Sequence, residues 1–501
     1  MVNGQASLLN HRIPSQSPMN PSNHEHHHLP NRFAVIPTVE RLDAESSYRG
    51  RGVAIAFLDS GFHPHPDLVE PTNRIVVYKD LAGEHPSLDG ISESQSWQWH
   101  GTQTSVTAAG NGHLSEGVYR GLACESELVL VKASEQGRIK EDNIARGIEW
   151  VIENRDRYDI RILNISLDGD EDVPCSKSTI DQAAEEAIRQ GIVVVVAAGN
   201  SGNDGRHSIP PANSPSVITV GGYSDNNKLD GESLDLYHSN FGLTSDGTLK
   251  PEIIAPAMWV AAPILPGTEV YRTAETLSLL ASAPDYHLPK LAHEYFKQLN
   301  MPESLIRSEP TAIRSFVEAQ LNQQRIVATH YQHVDGTSFA APIVSSIVAQ
   351  MLEANPRLTP ATVKSILIST AERIAAAPTL RQGYGVVNAR RAVAQALTER
   401  HGLAPEGCGY PRVENGQIQF VYHDDTADSV ALAGDFNLWD TKTMPFAKDH
   451  SGLWVASIEA PGPGRYEYKF LVSGKRWIED PNNGMKSPDN YGGLNSVFVI
   501  Q

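Results

Sequence analysis

The strongest constraint on the fold is an alternation of short, largely apolar runs with helical patterns. Apolar runs occupy residues 53–58, 162–167 and 192–198, and helical patterns occupy 139–155 and 180–190. A strand that is apolar at every position is covered on both faces, and strands separated by helices pair in parallel. The sequence therefore predicts an α/β fold with a parallel central sheet.

Composition narrows the choice of partners. The chain has 501 residues, and its 59 acidic against 41 basic residues give a net charge of −18. Such a charge disfavours nucleic acid and anionic membranes. The three cysteines, Cys124, Cys175 and Cys408, are too few and too scattered for a disulfide framework or a zinc site. No secretory leader pattern and no apolar run of about 18 residues is seen, so a cytoplasmic location is expected.

Changes of pattern along the chain divide it into segments. Residues 1–32 are rich in Asn, Ser, Pro and His and predict a disordered tail, followed by the α/β domain at 33–402. Within that domain, a helical insertion is expected at about 265–326. A Gly- and Pro-containing linker at 403–412 precedes short strand patterns at 413–501, which predict an all-β sandwich.

The stretch from 334 to 352, VDGTSFAAPIVSSIVAQML, places Ser338 at the start of an apolar helix behind a turn at Gly336. A helix N-terminus offers N–H groups and positive potential to a developing oxyanion. Pro342 lacks the N–H that would normally bond to the carbonyl of Ser338. Taken alone, Ser338 is better explained as a residue that caps the helix.

Three other polar residues stand at the ends or starts of predicted elements. Asp59 and Asn200 follow buried strands, and His100 opens a helix. Each has an ordinary alternative, since His100 suits a helix cap and Asn200 a turn. Serine is a poor nucleophile without a neighbouring base, and that base needs a carboxylate to fix its tautomer. Asp59, His100 and Ser338 together supply these roles.

Four stretches resemble the subtilisin-type serine peptidases: AIAFLDSG, HGTQTS, AAGN and GTSFAAP. The resemblance covers roughly residues 48–400 and implies a three-layer fold. It also implies that Asp59 orients His100, that His100 is the general base and then the acid, and that Ser338 is the nucleophile. Asn200 is implied to donate its side-chain amide to the oxyanion.

The same resemblance implies that Ser166 and Leu167 form one wall of the substrate channel. Asp168 replaces the usual glycine and begins an acidic run that extends to position 172. This run would favour basic substrate side chains, although a solvated loop explains it equally well. No cofactor is required for catalysis. Calcium is common in this family, but no acidic loop here has a recognisable ligand spacing, so no metal ligand is assigned.

A second resemblance covers most of residues 413–501. LAGDFNLWD, YEYKFLV and KRWIEDPNN are similar to the glycogen-binding, early-set modules, with an immunoglobulin-like sandwich, of α-glucan enzymes and a kinase regulatory subunit. The resemblance implies that Trp439 and Trp477 stack on glucose rings, while Lys469 and Asn495 bond to hydroxyls. Flat indoles offer apolar area to a sugar ring. The alternative is that one or both tryptophans belong to the core.

Three functions compete. The favoured one is a serine endopeptidase that acts on peptides or proteins and is held on glycogen or a starch-like α-glucan by its C-terminal module. The alternative is a catalytically idle scaffold that binds glucan or protein and retains the peptidase fold. A glucan-processing enzyme is disfavoured because no eightfold β/α repeat with paired carboxylates precedes the module.

Overall fold

A computed structural model describes most of the chain between residues 35 and 500. The described residues are 35–84, 87–88, 94–169, 173–202, 207–229, 234–399, 412–414, 416–424, 426–448, 453–481, 483, 486–489, 491 and 493–500. The polar tail at 1–32, part of the acidic run at 168–172 and most of the linker at 403–412 lie outside them.

The first half of the chain alternates strands with helices. Its elements are α1 (Thr38–Arg41), β1 (Ala54–Asp59), α2 (Pro66–Val69), β2 (Ile75–Asp80), α3 (Trp99–Ala109), β3 (Glu127–Lys132), β4 (Ser134–Glu135), β5 (Arg138–Ile139), α4 (Glu141–Glu153), β6 (Ile160–Ile165), α5 (Thr179–Arg189), β7 (Val193–Ala197) and β8 (Ile218–Ser224).

Short strands and the remaining helices follow. They are β9 (Asp235–Leu236), β10 (Gly242–Leu243), β11 (Leu249–Lys250), β12 (Ile253–Pro256), β13 (Val260–Pro263), α6 (Glu269–Ser282), α7 (Leu288–Tyr295), α8 (Glu303–Ile306), α9 (Pro310–Gln323), β14 (Ile326–Ala328), β15 (Tyr331–Val334), α10 (Thr337–Ala354), α11 (Pro360–Thr370), α12 (Thr379–Gln382) and α13 (Ala389–Thr398).

The central sheet has the strand order β12-β8-β7-β6-β1-β3-β2, and every neighbouring pair in this order is parallel. Successive residues of β1 enter two different cores. Ile55 and Phe57 belong to the core that includes residues of α3, α10, α11 and α13. Ala56 and Leu58 belong to the core that includes residues of α4 and α5. The apolar runs therefore form strands buried on both faces, and the predicted three-layer α/β fold is confirmed.

Local sequence also fixes where several helices begin. Helices α5, α6, α11 and α13 each follow a residue whose side-chain oxygen accepts a backbone N–H of the first turn, namely Ser178, Thr268, Thr359 and Asn388. Such caps satisfy one of the N–H groups that a helix start leaves without a partner.

Helices α6 to α9 interrupt the chain between β13 and β14 and bury a separate apolar core, which includes Leu277, Leu288 and Ile313. The strands that flank them, β13 and β14, lie in one small sheet, because both pair antiparallel with β15. The backbone N–H of Ile264 bonds to the carbonyl of His330 at 2.8 Å. The helical excursion thus leaves and returns at neighbouring points of one small sheet.

The C-terminal residues form two antiparallel sheets. Their strands are β16 (Arg412–Glu414), β17 (Gln417–His423), β18 (Val430–Gly434), β19 (Ala447–Lys448), β20 (Leu453–Glu459), β21 (Gly464–Val472), β22 (Arg476–Ile478), β23 (Lys486–Pro488) and β24 (Leu494–Ile500). One sheet has the order β16-β17-β20-β19, the other β18-β21-β24-β23 with β22 beside β21. Both contribute side chains to one aromatic core, for example Phe420 and Phe470. The all-β prediction for this region is confirmed.

This region contacts the α/β domain at the start of α11. The hydroxyls of Thr359 and Thr362 donate to the carbonyl of Pro481 at 2.9 and 3.3 Å. Ser365 donates to Glu479 at 2.7 Å. In the described part of the chain, no helix is both long and apolar enough to cross a membrane.

Candidate active site

Asp59 ends β1, and its carboxylate is fully buried. Two hydrogen bonds fix its orientation: the backbone N–H of Ser60 donates to Oδ1 at 2.7 Å, and the hydroxyl of Thr104 donates to Oδ2 at 3.1 Å. Bonds to both oxygens hold the buried carboxylate in one orientation. Sequence reasoning missed Thr104, although it lies one helical turn beyond His100 on the same face of α3.

His100 lies in the first turn of α3, and its Nδ1 is 2.8 Å from Oδ1 of Asp59. A carboxylate accepts only, so Nδ1 carries the proton and Nε2 presents its lone pair. The side chain is 18% exposed, which leaves one edge of the ring accessible from the cleft. This is the arrangement that a general base requires.

Two opposing influences set the pKa of His100. Burial disfavours the charged ring and is the largest effect, but the negative charge of Asp59 and its hydrogen bond together outweigh it. The pKa is therefore raised above its ordinary value of 6.5. An imidazolium formed when the ring accepts a proton is stabilised by the same carboxylate.

Ser338 is the second residue of α10, directly behind Gly336, whose φ of 146° suits glycine. The ring of Phe339, the next residue, lies 5.9 Å from the ring of His100 between centroids. The structure therefore brings the start of α10 beside the start of α3, as the order of the motifs predicts.

The carbonyl of Ser338 accepts a hydrogen bond from the hydroxyl of Ser166 at 3.0 Å. Pro342 has no N–H for this carbonyl, so Ser166 supplies the missing donor. Asn164 supports the arrangement, because its amide donates to Ser166 Oγ at 3.2 Å and its oxygen accepts from Ser345 at 2.9 Å. The side chain of Ser166 thus holds the first turn of α10.

Asn200 follows β7, and its side chain reaches the residue before Ser338. Its Oδ1 accepts from the backbone N–H of Thr337 at 2.9 Å and from the hydroxyl of Thr337 at 3.0 Å. Both donors require the amide oxygen as their acceptor, which makes the NH₂ group the end that can donate to a ligand.

A cleft of about 450 Å³ adjoins His100. One wall consists of Ser166, Leu167 and Asp168, the three predicted substrate-binding residues. Leu167 is buried and Asp168 is exposed. The remaining lining includes two groups that sequence reasoning missed, the apolar side chains Trp97, Trp99 and Ile139 and the carboxylate of Glu141. The lining therefore combines apolar area with negative charge.

Comparison with known proteins identifies the family of the chain. The model of the subtilase family matches residues 50–386, more than half of the chain. The chain belongs to the subtilase family. Serine protease AprX of Bacillus subtilis (strain 168) is 32% identical over 353 residues, which cover 69% of this chain and 66% of AprX.

Other subtilases are similar over shorter regions. The major intracellular serine protease of the same organism is 32% identical over 203 residues, covering 39% of this chain and 58% of that protein. The matched regions therefore span less than two thirds of the length of either relative. A solved protease structure from Pseudoalteromonas arctica PAMC 21717 aligns with a TM-score of 0.47 and 23% identity, covering 72% of this chain and 94% of that chain.

A second family model matches residues 402–484: carbohydrate-binding module 48, the isoamylase N-terminal domain. This match confirms the second resemblance at the level of the family. The chain thus joins a subtilase domain to a carbohydrate-binding module.

In the module, the two predicted sugar-stacking residues lie together. The ring centroids of Trp439 and Trp477 are 6.4 Å apart with 58° between the ring planes. Trp477 is 45% exposed, and the indole N–H of Trp439 donates to Asp435 at 3.1 Å. Neither tryptophan belongs to the aromatic core of the module.

The other two predicted sugar contacts have protein partners. Lys469 forms an ion pair with Asp489. Asn495 is 8% exposed, and its amide donates to Glu467 at 2.8 Å. Lys469 lies on β21 and Asn495 on β24, and these two strands are paired. Trp477 lies on β22, which pairs with β21, so all three residues belong to one sheet.

Tyr491 is an additional candidate for a sugar contact. It is 95% exposed, and its N–H bonds to Asp489, the carboxylate that pairs with Lys469. Sequence reasoning missed this residue. Its only local signal is an aromatic side chain in a turn-forming stretch of Pro, Asp, Asn and Gly.

The subtilase family raises the question of a structural metal. Among the described residues, no group of three or more His, Cys, Asp or Glu side chains is placed to hold a metal ion. Asp67 is a buried carboxylate near the start of α2, and both of its oxygens accept hydrogen bonds from protein donors. Oδ2 accepts from the hydroxyl of Tyr331 at 2.6 Å, and Oδ1 accepts from the N–H of Leu114 at 3.0 Å.

Proposed function

We propose that this subtilase is a serine endopeptidase in which Asp59, His100 and Ser338 form the catalytic triad. The observation that carries the proposal is the 2.8 Å contact between His100 Nδ1 and a fully buried Asp59, placed beside the first turn of the helix that contains Ser338. In a catalytic triad, a buried carboxylate of this kind fixes the tautomer of the general base and stabilises the imidazolium that forms.

In this mechanism, His100 Nε2 accepts the proton of the Ser338 hydroxyl as Oγ bonds to the scissile carbonyl carbon. His100 then delivers that proton to the amide nitrogen, and the C–N bond breaks to leave an acyl ester on Ser338. A water molecule attacks the ester while His100 accepts its proton. His100 finally returns this proton to Ser338 Oγ as the acid product leaves.

Asn200 supplies the oxyanion donor in this proposal. Its Oδ1 is occupied by Thr337, so the NH₂ group is the end that can donate to the tetrahedral oxygen. A donor that is fixed before the reaction stabilises charge that appears only in the transition state. The N-terminus of α10 adds positive potential at the same place.

The alternative is an idle scaffold that retains the fold. A fluorophosphonate probe separates the two, because it forms a covalent bond only with an activated serine. We expect wild-type protein to be labelled and to cleave casein, and Ser338→Ala to lose both properties. Labelling that persists in Ser338→Ala would refute the assignment, and an unlabelled, correctly folded wild type would favour the scaffold.

We also propose that the C-terminal module binds an α-glucan such as glycogen or starch. Support comes from the carbohydrate-binding family of this region and from the two adjacent tryptophans, one of which is 45% exposed. Stacked indoles bury the apolar face of a glucose ring. Lys469 and Asn495 are proposed to form hydrogen bonds with sugar hydroxyls, either in place of their present carboxylate partners or in addition to them.

A gel-shift experiment tests this second proposal. We expect migration of the full-length protein through a native gel to be retarded by glycogen in the gel, and retardation to be unaffected by Ser338→Ala. Unchanged migration with glycogen and with soluble starch would contradict glucan binding. The cytoplasmic location stays a prediction of the sequence, and fractionation of the source cells checks it.

A further inference from the structure

Two short segments of the subtilase domain are joined by four hydrogen bonds. The first is the Asn200 loop, residues 199–202, and the second is the clamp segment, residues 238–240. The bonds run from Asn240 N to Gly199 O (3.0 Å), from Ser201 N to Asn240 Oδ1 (2.7 Å), from Gly202 N to His238 O (3.0 Å) and from His238 Nδ1 to Asn200 O (2.8 Å).

Asn240 is the inner member of the clamp segment and is only 4% exposed. It packs directly on the turn before Asn200, because a Cβ atom built on Gly199 would lie 2.4 Å from Asn240 Nδ2. Gly199 also has a φ of +93°. Only glycine permits this approach with this backbone, so the fit between Asn240 and the loop is close.

His238 holds the same loop from its backbone side. A carbonyl oxygen accepts only, so the contact with Asn200 O requires the proton on Nδ1. The imidazole packs against Tyr237 at 4.0 Å between ring centroids, which restricts its rotation. The backbone of Asn200 is therefore held by His238 while its side-chain oxygen is held by Thr337.

We infer that Asn240 and His238 are positioning residues for Asn200, an inference that rests on the proposed peptidase function. They fix the backbone from which the Asn200 side chain projects and thereby the direction of its NH₂ group. A donor that points correctly before the reaction needs no reorganisation in the transition state. Loss of the clamp therefore lowers kcat and leaves KM nearly unchanged.

A double-mutant cycle tests the role of Asn240. We expect Asn200→Ala to lower kcat by about a hundredfold to a thousandfold, and Asn240→Ala to lower it by about tenfold. In the Asn200→Ala background, Asn240→Ala should have almost no further effect, because the donor that it positions is gone. Equal losses in both backgrounds would overturn the inference.

A matched asparagine separates positioning from stability. Asn355 donates its amide to the carbonyl of Ala396 at 3.0 Å at the end of α10, away from the Asn200 loop. Asn355→Ala is expected to lower the melting temperature with kcat unchanged. If Asn240→Ala lowered only the melting temperature in the same way, Asn240 would be structural and the inference would fail.

Variants of His238 provide an independent test if Asn240→Ala does not fold. His238→Asn keeps a donor near the position of Nδ1, whereas His238→Phe keeps a ring without the donor. We expect kcat to fall severalfold in His238→Phe and to be largely restored in His238→Asn. Equal kcat values in the two variants would exclude the hydrogen bond. Full activity in Asn200→Ala would instead refute the proposed oxyanion donor itself, which is a different outcome.

Discussion

The hydroxyl of Ser166 donates to the backbone carbonyl of Ser338, so the wall of the substrate cleft and the helix of the proposed nucleophile are directly bonded. The bond exists because Pro342 cannot supply a helical N–H to that carbonyl. A shift of the cleft wall is therefore transmitted to Ser338 without an intermediate residue.

Ser166→Ala should leave the Ser338 carbonyl without its side-chain donor. The bond is partly buried, and a typical hydrogen bond contributes about 0.5–1.5 kcal/mol, so we expect the free energy of unfolding of the subtilase domain to fall by about that amount. Ser369→Ala is the control, because Ser369 is exposed on α11 and bonds only within its own helix turn or to Gln395. Equal denaturation midpoints for the two variants would show that the bond contributes little.

The pH dependence of kcat/KM should report His100. The ring must be neutral to accept a proton, and Asp59 raises its pKa above 6.5. Activity should therefore rise as the pH increases through that raised pKa. Asp59→Asn removes the negative charge, so it should lower kcat strongly and move the rising limb to lower pH. If the rising limb of the pH profile lay at the same pH in wild type and in Asp59→Asn, the titrating group would be one other than His100.

The acidic lining of the cleft should favour basic substrate side chains. We propose that Asp168 and Glu141 provide this preference, so reversal of either charge should lower the ratio of kcat/KM for a Lys-containing peptide over its Leu counterpart. Coulomb's law at the distances within the cleft gives about a fivefold change in this ratio for each reversed charge. Glu149→Lys, on the same helix as Glu141 but outside the lining, is the matched control. An unchanged ratio would favour the solvated-loop interpretation of Asp168.

Substitution of the paired tryptophans should remove glucan retention. Trp439→Ala and Trp477→Ala should each weaken retardation by glycogen in a native gel, and the double variant should lose it, because each indole offers a flat apolar face. Tyr286→Ala removes a 78% exposed aromatic from the helical excursion and should migrate as wild type. If glycogen still retarded the double variant, the glucan site would lie elsewhere. Tyr491→Ala would then be the next variant to test.

The helical excursion, α6 to α9, is proposed to limit access of folded proteins to the cleft. The chain that leads into α6 contacts the region of His100: Gln103 of α3 donates to O of Pro263, the last residue of β13, at 2.9 Å, and Ser94 donates to Pro266 O at 2.6 Å. Excision of residues 265–326 with a short Gly/Ser bridge should raise the ratio of casein to small-peptide cleavage. An unchanged ratio in a folded variant would indicate a structural insertion.

Local pattern was sufficient for the residues at the ends of strands. Asp59 and Asn200 follow apolar runs whose burial on both faces is set by composition alone, and parallel strands bring their carboxyl ends to one edge. Ser338 and His100 open helices, which are also local signals. The parallel α/β sheet and the proximity of these segments were therefore predictable, whereas the three-layer arrangement was implied by the resemblance to the subtilisin-type peptidases.

Contacts between distant segments could not be predicted in the same way. The bond from Ser166 to Ser338 and the clamp on Asn200 depend on side-chain packing between segments far apart in the chain, which no periodicity reports. The module shows the same limit. Resemblance pointed to Lys469 and Asn495 as sugar contacts, but it gave no sign of their carboxylate partners, Asp489 and Glu467.

The pairing of β13 with β15 has an evolutionary consequence. Since Ile264 and His330 are bonded neighbours, the chain leaves β13 and enters β15 at one place in the sheet, with α6 to α9 and then β14 between them. The closure entropy of a loop grows only slowly with its length. Insertions and deletions in these helices during evolution would therefore leave the register of β15, the strand that leads to Ser338, unchanged. New substrate selectivity could evolve at this position without loss of the fold.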